Sequence, residues 1–268
     1  MPEFSRDGLS FHYRTVGEGT TVVFQHGLGG DVDQPFSLFT PPVGFRLLAI
    51  DCRGHGQTRP LGNPSRLAIA DFADDLIALL DYLDIHQAVV GGISMGAAVT
   101  LNFTLRYPER VLGLIQSRVA WLEGPNHDNA SRFSLIARLI RKEGPQQGRQ
   151  IFQDSDEYQR VLRESTDTAA SLLGQFDHPR AEETVMKLER IPLDSPYENV
   201  EQLHGIRVPS LVLANRQDPV HPYPFGKAVA QAIPAAEFRE LTPKSICVEQ
   251  HGADVQRYIT EFLERNFR

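Results

Sequence analysis

The chain has 268 residues, 41% hydrophobic and 23% charged, with 21 Gly and 18 Pro; this excludes disorder, collagen-like repetition and coiled coil, and leaves a soluble globular protein with a sizeable core. A formal net charge of −7 gives no positive footprint for nucleic acid or an anionic membrane surface and suits a small-molecule partner. The two cysteines, Cys52 and Cys247, lie far apart with no CxxC or Cys/His cluster, so they read as reduced core thiols rather than a disulfide or a zinc site.

Residues 1–8 lack the basic and then apolar pattern of a secretory signal, and no segment approaches the roughly 18 apolar residues that span a bilayer. A cytoplasmic protein without a membrane partner is expected. Leu9, Phe11 and Tyr13 alternate and are closed by Gly17-Glu18-Gly19, the pattern of a half-buried antiparallel strand and turn. Residues 21–25, 45–50 and 88–90 are nearly continuous apolar runs, as in strands covered on both faces of a parallel sheet. Between them, residues 66–83 put Ile69, Phe72, Leu76, Leu79, Leu80 and Leu83 on one face and Asp71, Asp74, Asp75 and Asp81 on the others, an amphipathic helix.

Residues 95–107 are small and apolar and stop at Pro108, a buried helix, and 111–115 resume the strand pattern. This alternation predicts a doubly wound α/β sheet. Residues 122–205 contain no β-like run; helical stretches at 133–141 and 182–190 are separated by Pro and Gly, as in a helical insertion. Strand, helix, strand and helix patterns then follow at 210–214, 225–232, 237–241 and around Val255 to Leu263. The expected division is a core of residues 1–121 and 206–268 interrupted by a helical lid at 122–205.

Gly92-Ile93-Ser94-Met95-Gly96 is a G-x-S-x-G string between an apolar strand and a helix. The string alone occurs by accident in about one chain in ten of this length; its flanks give it weight. A serine nucleophile in such a motif occupies a strained turn, and glycines two before and two after let strand and helix approach. Ser94 would project its hydroxyl clear of the backbone, and the Met95 N–H at the helix N-terminus could hold a developing oxyanion.

His26-Gly27-Leu28-Gly29-Gly30 follows an apolar strand, and Asp51-Cys52-Arg53-Gly54-His55-Gly56 follows the next. With the Ser94 string and the strand order, these resemble the α/β-hydrolase family over nearly the whole chain. The resemblance implies a mostly parallel sheet of the eight-stranded type with an inserted helical lid, a second oxyanion N–H at Leu28, and a triad in the order Ser, Asp or Glu, His. Asp51, Arg53, His55 and His26 read as a packed, hydrogen-bonded structural set.

By the same resemblance Asp218, in the loop after strand 210–214, is the acid, with Glu123 as the alternative. The histidine departs from the family pattern, because Lys244 stands about where it is usual. Only His221 and His251 follow Asp218. His221 lies three residues beyond it in the same loop, a poor position for a base that the acid must orient. His251, between the last strand and the last helix, is therefore taken as the base, its ring kept neutral by a helix N-terminus. Trp121, where the chain enters the insertion, and Phe36 are candidates for the pocket lining, with hinge packing the other reading of Trp121.

These residues imply a serine hydrolase acting on an ester, lactone or thioester of a small, largely apolar substrate, with no metal or organic cofactor. A C–C bond hydrolase or a perhydrolase of the same fold would use the same residues. A non-catalytic ligand-binding receptor or scaffold is the reading of another class, kept open by the displaced histidine. Oligomeric state is left open.

Overall fold

The computed structural model describes residues 3–268; residues 1 and 2 of the expected core segment lie outside the described residues. In chain order the elements are β1 (Glu3–Arg6), β2 (Leu9–Gly17), β3 (Thr20–Gln25), α1 (Asp33–Leu38), β4 (Phe45–Ile50), α2 (Ile69–Tyr82), β5 (Ala88–Ile93), α3 (Met95–Arg106) and β6 (Val111–Ser117). Then come α4 (His127–Gln153), α5 (Asp156–Glu164), α6 (Thr166–Leu173), α7 (Met186–Arg190), β7 (Ser210–Ala214), α8 (Tyr223–Ala232), β8 (Ala236–Glu240) and α9 (Val248–Phe267). Helix α4 is broken at Gly144, whose φ of 76° leaves the helical region just before Pro145.

The eight strands form one sheet in the order β1-β2-β4-β3-β5-β6-β7-β8. Its first two pairings are antiparallel and the other five parallel. Successive side chains of a strand point to opposite faces, and the apolar runs divide accordingly. Val22, Phe24, Leu47, Val89, Leu211 and Leu213 face a layer closed by α9. Val23, Leu48, Val90 and Val212 face the larger layer built by α2, α3, α8 and the helices between β6 and β7. No helix among the described residues is long and apolar enough to cross a membrane.

Cys52 is buried and unpaired, as expected, but Cys247 is not a core thiol. It is partly exposed and caps α9, its Sγ accepting from the Gln250 N–H at 3.5 Å.

Because β3, β5, β6 and β7 are parallel neighbours, their C-terminal ends lie together on one edge of the sheet, where ligands of open α/β sheets bind. The elbow after β5 is set by close packing. A Cβ on Gly96 would stand 2.1 Å from the Gln25 carbonyl oxygen, and one on Gly92 would stand 2.2 Å from the Gly96 carbonyl carbon. Backbone atoms cannot move aside as a flexible side chain can, so α3 reaches β3 and β5 only with glycine at both places.

Gly96→Ala is accordingly expected to destabilise the fold by about 2–4 kcal/mol in urea unfolding. Gly252→Ala, at an exposed position in α9 with no atom within 4 Å of the added methyl, should stabilise it by about 1 kcal/mol. Equal effects at the two sites would contradict this account of the elbow.

Candidate active site

Ser94 joins β5 to α3 with φ 57° and ψ −115°, a conformation that costs a non-glycine residue energy and persists only where the surroundings impose it. Its N–H donates to the Ser117 carbonyl at 3.0 Å, and its carbonyl accepts from the Ala98 N–H at 3.1 Å. Met95, as the first residue of α3, has an N–H without an acceptor one turn back in the helix. The turn after β3 lies beside the elbow, since a Cβ on Gly27 would sit 3.5 Å from Ser94 Cβ. That turn is tied by the Gly27 N–H to Gln34 Oε1 at 2.7 Å and the Gly30 N–H to the Gly27 carbonyl at 2.9 Å. The Leu28 N–H takes part in neither bond, while the Leu28 carbonyl faces His55 Nε2 at 3.0 Å.

The structure brings His221, not His251, to the serine. His221 Nε2 lies 2.9 Å from Ser94 Oγ, and its Nδ1 lies 2.9 and 3.0 Å from the two oxygens of Asp218. With an ionised carboxylate against Nδ1, that nitrogen carries the proton, and Nε2 accepts from the Ser94 hydroxyl. Asp218-Pro219-Val220-His221 forms a reverse turn in which the His221 N–H donates to the Asp218 carbonyl and to Asp218 Oδ1, both at 3.2 Å. Such a turn holds its first and fourth residues within about 7 Å, so ring and carboxylate meet directly. The Asp-Pro pair at its first two positions is the sequence signal for that turn, and it brings His221 to Asp218, a pairing that separation along the chain argued against.

His251 is correspondingly corrected. It lies inside the first turns of α9, which begins at Val248 because Cys247 caps it, and not in the preceding connection. Its Nδ1 is 2.8 Å from the Thr242 carbonyl, a bond that ties α9 back to the segment after β8, and it shares no hydrogen bond with Ser94 or Asp218 among the described residues. Lys244, at the usual histidine position, faces Asp167 at 3.9 Å. Glu123 is exposed and accepts from the Val200 N–H at 3.5 Å, apart from the Ser94 chain of bonds.

Asp218 is 5% exposed and fully hydrogen-bonded. Besides His221, Arg118 Nε donates to Oδ2 at 2.7 Å and Thr168 Oγ1 to Oδ1 at 3.3 Å. Burial pushes this carboxyl up, but the neighbouring His221 and Arg118 outweigh it and hold it well below the usual carboxylate range. Burial pushes the His221 ring below its ordinary value; Asp218 opposes the shift and the Arg118 cation adds to it. Sequence reasoning missed Arg118, which follows β6 directly in a left-handed conformation of φ 50°.

Phe36, half-buried on α1, stacks under the Arg14 guanidinium at 4.2 Å from the ring centre and packs on the α9 side of the sheet. Trp121 is buried in the larger apolar layer with Phe133 and Ile136. The residues read as structural are internally bonded. Asp51 accepts from the Val32 and Gln57 N–H groups at 2.8 and 2.7 Å, and Arg53 grips Asp75 at 2.6 and 2.7 Å. His26 lies 2.8 Å from the Gly27 carbonyl through Nδ1, and its Nε2 accepts from the Cys52 N–H at 3.1 Å. Among the described residues no group of three or more His, Cys, Asp or Glu side chains is gathered where it could hold a metal ion. A cleft of about 980 Å³ lined by Arg59, Glu143, His178, Arg180 and Glu182 is polar and includes none of Ser94, Asp218 and His221.

A strained serine elbow, a Gly-rich turn beside it and a buried carboxylate after β7 are the ordered parts of one fold, and a family model described as alpha/beta hydrolase fold matches residues 20–245. The chain belongs to the alpha/beta hydrolase family. It is a hydrolase. The 3-oxoadipate enol-lactonase 2 of Acinetobacter baylyi is 26% identical over 260 residues, covering 91% of this chain and 94% of that one. The crystal structure of the enol-lactonase from Burkholderia xenovorans matches with a TM-score of 0.74 at 25% identity, over 98% of this chain and 100% of that one. A thermophilic esterase from Thermogutta terrifontis shares the fold, with a TM-score of 0.76 at 22% identity over 99% of this chain and 97% of that one.

The charges around His221 fix the sign of a titration. In this alpha/beta hydrolase the His221 ring should titrate, by NMR, below the ordinary imidazole value of about 6.5. Arg118→Met removes a cation that disfavours the imidazolium and leaves Asp218 free to attract it, so the His221 value should rise. An unchanged or lower value in the variant would contradict the arrangement.

Proposed function

We propose that this alpha/beta hydrolase cleaves a carboxylic ester or lactone of a small, largely apolar molecule through an acyl-enzyme on Ser94. The observation that carries the reading is the unbroken chain from Ser94 Oγ to His221 Nε2 at 2.9 Å and from His221 Nδ1 to Asp218 at 2.9 Å. A base within hydrogen-bond reach of the nucleophile, itself oriented by a carboxylate, is what nucleophilic acyl transfer requires. The lactonase relatives support a lactone or ester as the substrate class.

In this mechanism Ser94 Oγ attacks the acyl carbon while His221 Nε2 takes the hydroxyl proton. The oxyanion accepts from the Leu28 and Met95 N–H groups, and its collapse expels the alkoxide, which takes the proton back from His221. A water molecule, deprotonated by His221, then attacks the acyl carbon, and collapse of that intermediate releases the acid and expels Ser94 Oγ, which takes the proton back from His221. Asp218 stays ionised and stabilises the imidazolium as it forms. We read residues 122–205 as a cap over this site that sets specificity. The non-catalytic reading was kept open by the displaced histidine; the contact of His221 with Ser94 at 2.9 Å favours the catalytic one.

Labelling with a fluorophosphonate probe tests the assignment. The parent should label; Ser94→Ala should not label, and His221→Ala should lose label and about 10⁴-fold in kcat on a p-nitrophenyl ester. His251→Ala should keep both, its cost falling on thermal stability. Labelling and turnover that survive His221→Ala but vanish with His251→Ala would return the base to His251.

A further inference from the structure

With acid and base carried by one four-residue turn, Asp218 to His221, whatever fixes that turn fixes both. Part of its grip comes from the core, through Arg118. The carbonyls in the middle of the turn, however, are held by the helical insertion. Asn129 Nδ2 donates to the Val220 carbonyl at 2.8 Å, and Arg132 Nη1 donates to the Pro219 carbonyl at 3.1 Å. Both side chains come from the start of α4, and Arg132 Nη1 also donates to Asn129 Oδ1 at 3.0 Å, so the pair forms one unit.

This unit is costly to bury and is held by several hydrogen bonds. Asn129 is 3% and Arg132 5% exposed. The Arg132 charge is answered by Glu157 of α5, 2.7 Å from Nε. The N-cap Asn126 accepts the Asn129 N–H at 3.1 Å and fixes where the helix starts. A helix that needed only to pack here would carry apolar side chains, as α4 does at Phe133, Ile136 and Ile140. Two buried polar side chains aimed at consecutive carbonyls instead set the height and tilt of the turn, and hence the reach of His221 to Ser94.

We propose that Asn129 and Arg132 are positioning residues for His221, so that docking of α4 on the turn and competence of the base are one event. The proposal rests on the reading of Ser94, His221 and Asp218 as the triad.

The test compares Asn129→Asp, Arg132→Met, Arg132→Lys and His221→Ala with the parent, measuring kcat and KM on a p-nitrophenyl ester, the rate of fluorophosphonate labelling, and thermal unfolding. Asn129→Asp keeps the shape and the Arg132 partner while removing the donor to Val220. It should lower kcat and the labelling rate about 10- to 100-fold with KM little changed, as for a misplaced catalytic group. Arg132→Lys should retain more activity than Arg132→Met. Asn102→Ala serves as the control for general loosening, because Asn102 of α3 donates to the Pro196 carbonyl at the other end of the insertion, and it should leave kcat unchanged.

Parental kcat in folded Asn129→Asp and Arg132→Met, a change confined to KM, or an equal fall in Asn102→Ala would overturn the proposal. Should Asn129→Asp not fold, the Lys and Met variants at Arg132 carry the same comparison. Undiminished labelling of His221→Ala would remove the triad reading and this inference with it. Lost labelling there, with full activity in Asn129→Asp and Arg132→Met, would overturn the inference alone.

Discussion

The buried carboxylate of Asp218 is the constraint around which this edge of the sheet is organised. An ionised group out of water costs several kcal/mol unless charges and donors close round it. Asp218 meets that cost with three elements: Arg118 from the end of β6, His221 from its own turn, and Thr168 from α6. Each partner is therefore tied to the others through one pair of oxygens. Arg118 extends the tie to Asp167 of α6 at 3.3 Å, so strand end, turn and α6 meet at one charge. Asp51 plays a similar part after β4, where two backbone N–H groups and the His12 ring at 2.9 Å converge on it.

The sheet was legible because its signals are local and periodic. Continuous apolar runs marked β3 to β7, and the glycines flanking Ser94 marked the elbow, since only glycine fits where α3 meets β3. The short β1 strand, Glu3–Arg6, has a mixed polar face, and pairing with β2 alone gives it no comparable pattern. Between β6 and β7, α5 and α6 are short and open on serine N-caps, Ser155 and then Ser165; their apolar faces are completed by neighbours distant in sequence, so little periodicity reaches the chain itself.

His221 shows where separation along the chain misleads. Counting residues treats positions 218 and 221 as too close for an acid to orient a base. A reverse turn makes the first and fourth residues neighbours, with the backbone bond from the His221 N–H to the Asp218 carbonyl closing the ring. His251 looked suitable because it follows the last strand, yet the start of α9 depends on a cap that a cysteine at 247 does not advertise. Arg118 escaped notice for a different reason. Its importance lies in a partner 100 residues away, which no local pattern encodes.

Placing Asp218 and His221 on one turn changes which distances tertiary packing has to control. The separation of Asp218 from His221 is set locally, by the turn. What remains is the separation of that turn from Ser94, and it is measured across the ends of β5, β6 and β7. Two backbone bonds span those ends, from the Ser94 N–H to the Ser117 carbonyl at 3.0 Å and from the Arg118 N–H to the Leu213 carbonyl at 2.9 Å. They continue the parallel ladders one residue past the strands, so the serine, the arginine and the strand leading to the turn are held at sheet spacing. Arg118 occupies the middle of this bridge with its backbone, while its side chain holds Asp218. The contact of His221 with Ser94 is thus measured from the most regular part of the molecule, the ladder ends of β5, β6 and β7.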